Sequence, residues 1–259
     1  MHSLNPENPP SLVVGTPPRR DIWRFWGTAL WGVIAFAALF VGQVLVLVYE
    51  VLRRGGTADI VETVRAAAGN GLTISLSVIM GLPAVLAALW LAIRFTSTPF
   101  ADYLALRWTS FKNFLIGIVG LMVALAIWEQ LSGLTSHESA PGFMADVLKS
   151  ARADGALWLL ILAFCVAAPI SEEFFARGFL YRGWSETSLG PIGAIILSSL
   201  VWTALHLQYD WYFFGEVFTL GLWFGYLRYR SHSTWLTIVL HGLNNFGAVV
   251  QGIYLAGHS

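Results

Sequence analysis

Uncharged apolar stretches long enough to cross a bilayer recur along this chain, and their recurrence restricts it to a helical bundle in a membrane. The hydrocarbon core of a bilayer is about 30 Å thick, so a spanning helix needs roughly 17–25 apolar residues. Lipid offers the backbone no hydrogen-bond partners, which leaves helices or closed barrels as the spanning structures. Stretches free of Asp, Glu, Lys and Arg run over Thr28–Tyr49, Leu72–Ile93, Phe114–Trp128, Ile192–Leu207 and Thr234–Tyr254. A further span begins near Ala156 and continues as a helix to about Arg182, and another covers Tyr212–Leu227. The expected architecture is an all-α, polytopic transmembrane bundle of about seven to eight spans. Phe114–Trp128 and Tyr212–Leu227 are short, which suits spans surrounded by protein, and Glu129–Asp154 leaves room for an eighth, re-entrant piece.

Composition agrees. Hydrophobic residues make up 56% of the 259 and charged residues 12%, against about 25% charged in a soluble domain. Fifteen basic and fifteen acidic residues balance, which argues against a nucleic-acid partner. Twelve Trp residues, several near segment ends, suit the membrane interface. The single cysteine, Cys165, excludes an intrachain disulfide and a thiolate metal cluster, and reads as a small buried hydrophobe.

Three regions are expected. Residues 1–24 form a cytoplasmic tail, disordered because Met1–Arg20 holds five prolines and little apolar periodicity. Its basic residues come too late for a signal peptide, and no cleavage site stands out in the long apolar segment after them. Residues 25–155 supply the N-terminal transmembrane helices, and residues 156–255 supply the region with the chemistry. With the N-terminus inside, the cytoplasmic side carries Arg19, Arg20, Arg24, Arg94, Arg107, Lys112, Arg177, Arg182, Arg228 and Arg230. The opposite side carries Arg53, Arg54, Arg65, Lys149 and Arg152. The excess favours that orientation, in an integral multi-pass protein of a bacterial inner membrane.

Polar groups inside apolar helices need partners. The stretch Ala168–Gly183 holds adjacent carboxylates, Glu172 and Glu173, and then Arg177. Glu173 and Arg177 are an i,i+4 pair with the acid first, the favoured order for a helix ion pair. Glu172 points about 100° away and has no sequence-local cation. A poorly solvated carboxylate there suits a general base working near neutrality, with Glu173–Arg177 as its structural brace. A hairpin turning at Glu186–Pro191 puts Glu172 and His206 at similar depth, roughly 20–25 Å from the turn at 1.5 Å per residue. His241 and Asn245 share a face one turn apart on the last span. Glu172, His206, His241 and Asn245 can therefore converge from three helices. Each has a blander reading: charge neutralisation at a helix end, a hydrogen-bonded core histidine, or interhelical hydrogen bonding.

Lesser candidates follow. His137 and Glu138 sit in the polar segment SHESAPG and read as solvated. Asp210 and Glu216 bracket a Trp/Phe-rich loop, either an entrance or an interface belt. Asp102 and Arg107, in FADYLALRW, read as a docking or capping element.

Glu172-Glu173-x-x-x-Arg177, Trp202-x-x-x-His206 and His241-x-x-x-Asn245 together resemble the three motifs of the CPBP family, the CAAX-protease and bacteriocin-processing (Abi) intramembrane proteases. The resemblance covers roughly Ala156–Tyr254. One departure is Trp202, where the family more often has Phe, a tolerated aromatic exchange. What the resemblance implies is peptide-bond hydrolysis within the membrane, as in type II CAAX prenyl endopeptidases. Glu172 and His206 would activate the attacking water, and His241 and Asn245 would steady that water or the oxyanion. On metal, two readings stay open: His206 and His241 with a carboxylate could hold zinc, or the glutamate could act without one. No H-E-x-x-H lies on a single helix, which favours metal-independent chemistry, with no cofactor assigned.

Three functions compete. The first is an intramembrane endopeptidase whose partners are a peptide or protein substrate and the lipid bilayer. The second is a non-catalytic membrane binding or scaffold protein of the bacteriocin-immunity type. The third is a solute or proton transporter, which would call for discontinuous spans in matching halves, and none is evident.

Overall fold

The computed structural model describes residues 21–53, 59–137, 142–207 and 209–256, and among them the regular structure is entirely helical. Most of the expected tail lies outside the described residues. Residues 21–24, counted with that tail, are non-helical chain tied to the connection after the second long helix. Asp21 N donates to Ser97 Oγ at 2.8 Å, and Thr98 Oγ1 donates to the Asp21 carbonyl at 2.9 Å.

The helices are α1 (Phe25–Arg53), α2 (Ile60–Ala68), α3 (Gly71–Arg94), α4 (Phe100–Tyr103) and α5 (Phe111–Thr135). They continue as α6 (Gly142–Ala153), α7 (Leu157–Ser185), α8 (Gly190–His206), α9 (Trp211–Ser231) and α10 (Thr234–Ala256). Among the described residues five are long and apolar enough to cross a membrane: α1, α3, α5, α7 and the Thr234–Tyr254 part of α10. α8 is a shorter apolar helix, and α9 is long but carries Glu216, Arg228 and Arg230. All seven expected segments are helices. The third is a correction: α5 runs Phe111–Thr135, well past the expected ends, because Ser110 caps its start by accepting from Asn113 N and no charge lies between Lys112 in its first turn and Glu129. The segment Glu129–Asp154 holds the end of α5 and the amphipathic α6, whose Val147, Leu148 and Ala151 pack with Leu160 and Val249.

The bundle's outer surface is apolar. Leu30, Val33, Leu52, Met122, Ile192 and Val250 are each at least half exposed, a surface that fits lipid and not water. Inward packing is close. A Cβ on Gly42 would collide with the Ser77 carbonyl of α3, so α1 and α3 touch backbone to backbone, as small residues permit in membranes.

α7 runs through the centre. Phe175, Arg177 and Phe179 are fully buried, and every residue from Phe174 to Leu180 is buried. Its ladder is irregular, with π-helical turns at Ala163–Ala167 and Phe174–Leu180 on either side of the acidic pair. The first has a cause in the sequence. Pro169 has no N–H to give, and the Ala168 N–H reaches back to the Ala163 carbonyl, so the Phe164 carbonyl loses its helical donor.

Candidate active site

The two adjacent glutamates face different neighbours, as a 100° step requires. Glu173 is completely buried and its Oε1 accepts from Arg177 Nη1 at 3.0 Å. The same oxygen lies 3.0 Å from His241 Nδ1. An ionised carboxylate is acceptor-only, so this contact assigns the proton to Nδ1 and leaves Nε2 as the free ring nitrogen. Arg177 has further partners: Nη2 donates to the Gly221 carbonyl of α9 at 3.0 Å, and its guanidinium lies 4.3 Å from the Trp202 ring centroid. The brace expected of Glu173 and Arg177 thus reaches α7, α8, α9 and α10.

Glu172 keeps 17% of its side chain exposed, and His241 Nε2 stands 4.0 Å from Glu172 Oε2. That gap is too long for a direct hydrogen bond and is a distance that one water can bridge. The indole N–H of Trp202 donates to the same Oε2 at 2.6 Å. The sequence reading missed this bond. It treated Trp202 as an aromatic exchange, whereas indole brings a donor that phenylalanine lacks. The residue type itself was the available signal.

Trp202 is the hub of the rings. His206 meets it at 5.2 Å and His241 at 5.3 Å between centroids, both edge to face. His206 closes α8 on a 3₁₀ turn, with Nδ1 3.3 Å from the Trp202 carbonyl. It makes no hydrogen bond to Glu172, so the water expected to be activated by the two would have to lie between them. Beyond it the Tyr209 ring lies tilted against the His206 ring, 5.5 Å between centroids. Burial, aided by the Glu172 and Glu216 carboxylates, pushes the Tyr209 phenol up to about 12.

Asn245 lies one turn past His241, as expected, yet both ends of its amide are engaged. Nδ2 donates to the freed Phe164 carbonyl at 2.8 Å, and Oδ1 accepts from Asn244 at 3.3 Å. The side chain thereby satisfies the carbonyl that Pro169 leaves open. Next to it, a Cβ on Gly242 would come within 2.5 Å of the Cys165 carbonyl, so only glycine lets α10 approach α7 this closely.

Among the described residues, no group of three His, Cys, Asp or Glu side chains is placed to hold a metal ion. The imidazoles and Glu172 have suitable donor chemistry for zinc, but as arranged they do not fit it, and no step below passes through a metal.

The lesser candidates have structural places. Asp210 caps α9, accepting from Tyr212 N and Phe213 N. His137 stacks on Tyr212 at 4.6 Å rather than standing free in solvent, and Glu138 lies outside the described residues. Arg107 Nε donates to the His232 carbonyl at 3.0 Å, and Thr234 Oγ1 donates to the Leu104 carbonyl, so FADYLALRW docks onto the start of α10. Glu216 lines a cavity of about 410 Å³ with Glu129, Ser132, Tyr212, Asn244 and Gln251. Neither Glu172 nor His241 lines that cavity.

Comparison with known proteins falls on the same part of the chain. Residues 154–247 match the family described as type II CAAX prenyl endopeptidase Rce1-like. The UPF0177 protein YbdI of Lactococcus lactis subsp. lactis (strain IL1403) is 25% identical over 144 residues, covering 55% of this chain and 72% of that protein. No solved structure gives a significant match. The matched segment contains Glu172, Glu173, Arg177, Trp202, His206, His241 and Asn245, and over it the chain is similar to Rce1-like type II CAAX prenyl endopeptidases, as the three motifs imply.

Proposed function

We propose that this protein is an intramembrane endopeptidase in which Glu172 is the general base for a hydrolytic water. One observation carries the reading: a carboxylate held by an indole N–H faces, across 4.0 Å, an imidazole nitrogen whose ring is locked from behind by Glu173. A water between Glu172 and His241 Nε2 would give one proton to the carboxylate and attack the scissile carbonyl carbon. The tetrahedral oxyanion then collapses, the C–N bond breaks, and the proton on Glu172 passes to the departing amine, so atoms and charge balance. His241 orients the water, and Glu173 and Arg177 hold its ring in one tautomer, the role of a third group behind a catalytic base. His206 takes its place with Glu172 on the strength of the motif, and Asn245 works by holding α10 against the open turn of α7.

The substrate class that this reading supports is a peptide presented in the membrane, with a prenylated C-terminal peptide or a leader peptide as the two candidates. Incubating the purified protein with a library of both, beside Glu172→Gln and His241→Ala, tests it. General-base removal lowers turnover by about 10²–10⁴-fold. Equal cleavage by wild type and both variants would sink the proposal.

A further inference from the structure

Away from the acidic pair, one end of the bundle gathers cations with little to neutralise them. Arg228, in the last turn of α9, is only 3% exposed. Its guanidinium lies over the Tyr181 ring at 5.3 Å, and its buried Nε has no hydrogen-bond partner. Arg182, one residue after Tyr181, also has a buried Nε without a partner, although its Nη2 pairs with Glu186 at 2.8 Å. Arg107 approaches from the α4–α5 connection, where its Nε holds the His232 carbonyl. His232 is close enough to feel all three: burial first, then Arg228, Arg107 and Arg182, lowers the pKa of its imidazole. No ion pair joins Arg228 to a carboxylate among the described residues.

Arg182 and Arg107 beside the buried, unpaired Arg228 are unfavourable as they stand, because an uncompensated buried charge is costly. An anion placed among them would reverse that balance. Guanidinium forks match the oxygens of phosphate, and basic recesses between transmembrane helices are suited to anionic headgroups. The position fits a headgroup too: Trp108, Phe111 and Tyr229 are exposed at this end, where aromatic side chains mark the membrane interface.

We infer that Arg228, Arg182 and Arg107 form a phosphate-binding site at the basic end of the bundle, built to take the headgroup of an anionic phospholipid. The site stands apart from the proposed hydrolytic centre and does not rest on it. Arg228 would supply its buried guanidinium, seated over the Tyr181 ring, and Arg107 its exposed one.

The test uses the full chain in nanodiscs of phosphatidylcholine alone or with phosphatidylglycerol, and in detergent with inorganic phosphate, reading thermal stability and retained lipid by native mass spectrometry. Phosphatidylglycerol is expected to be retained about tenfold better than phosphatidylcholine, and R107Q and R228Q to remove that preference. Because Arg228 is buried, R107Q decides if R228Q fails to fold. Stabilisation by inorganic phosphate as strong as by phosphatidylglycerol supports the anion site and assigns it to the free ion. Equal retention of the two lipids with no effect of phosphate overturns it. So does a variant that loses peptide cleavage but binds both anions normally, since the cluster would then serve a peptide carboxylate.

Discussion

Trp202 and Glu172 are joined across α8 and α7 by a 2.6 Å hydrogen bond from indole to carboxylate. His241 Nε2 stands 4.0 Å from the same oxygen, so the glutamate oxygen has both an indole and an imidazole beside it. The Trp202 ring also lies under Arg177, so one side chain fixes the proposed base and covers the ion pair behind it.

Trp202→Phe therefore separates two roles, since it keeps a ring against Arg177 and removes the donor. A hydrogen bond to a charged group contributes about 1.5–3 kcal/mol, so turnover is expected to fall by up to roughly 10–100-fold, with a smaller loss of melting temperature than for Arg177→Met. Unchanged kcat would mean that the bond has no part in catalysis.

Arg177→Met leaves Glu173 charged and buried without its cation, with the His241 N–H as its remaining partner. Breaking one side of a buried pair costs about 3–5 kcal/mol, and thermal unfolding in detergent should show it as a large drop. The double variant Glu173→Gln with Arg177→Met should recover much of that loss, while activity stays absent because His241 has lost its anionic partner. A single variant as stable as wild type would show that the brace is dispensable.

Asn245→Leu keeps volume but leaves the Phe164 carbonyl open again. Polar contacts between membrane helices contribute about 1 kcal/mol, so the stability loss should be clearly smaller than for Arg177→Met. Cleavage should fall as well, because Asn245 and His241 share one face of α10. Wild-type stability and turnover together would refute the clamp.

The pH dependence of stability has a sign at His232. Burial and the neighbouring arginines lower its pKa in the fold, so the folded protein favours neutral imidazole. Its contribution is present above the unfolded value of about 6.5 and is lost as pH falls through the lower folded value. Thermal scans should show stability declining below about pH 6.5, by a small amount because the residue is largely exposed. His232→Gln should flatten that limb, and an unaltered limb would place the titration elsewhere.

Chelation bears on the metal question directly. With no three ligands gathered, cleavage by protein dialysed against a strong chelator is expected to match that of untreated protein. Loss on chelation with recovery on adding zinc would show that the imidazoles rearrange around a metal.

Much of this was legible in the residues. Apolar runs gave the helices because lipid admits few alternatives, and the i,i+4 order of Glu173 and Arg177 foretold their pairing. The His241–Asn245 spacing put both on one face. What could not be read was contact between distant segments. The 30 residues separating Glu172 and Trp202 hide a bond that depends on how two helices rotate against each other. The π-helical turns shift that rotation, so an ideal helical wheel misjudges it. Asn245 is expected from the motif to steady the water or the oxyanion; its bond to the Phe164 carbonyl was not foreseeable, since nothing local says that Pro169 leaves a carbonyl needing a donor. The end of α5 was set too early because a hydropathy limit stops at Glu129, while a helix with its backbone bonds intact does not.

The bare contact of Gly242 with the Cys165 carbonyl has a consequence for traffic through the protein. Where two main chains touch with no side chain between them, nothing can part them by swinging aside, and nothing can slip through. On the proposed function, a peptide bound for Glu172 would therefore arrive by some other seam than the one between α7 and α10 at Gly242.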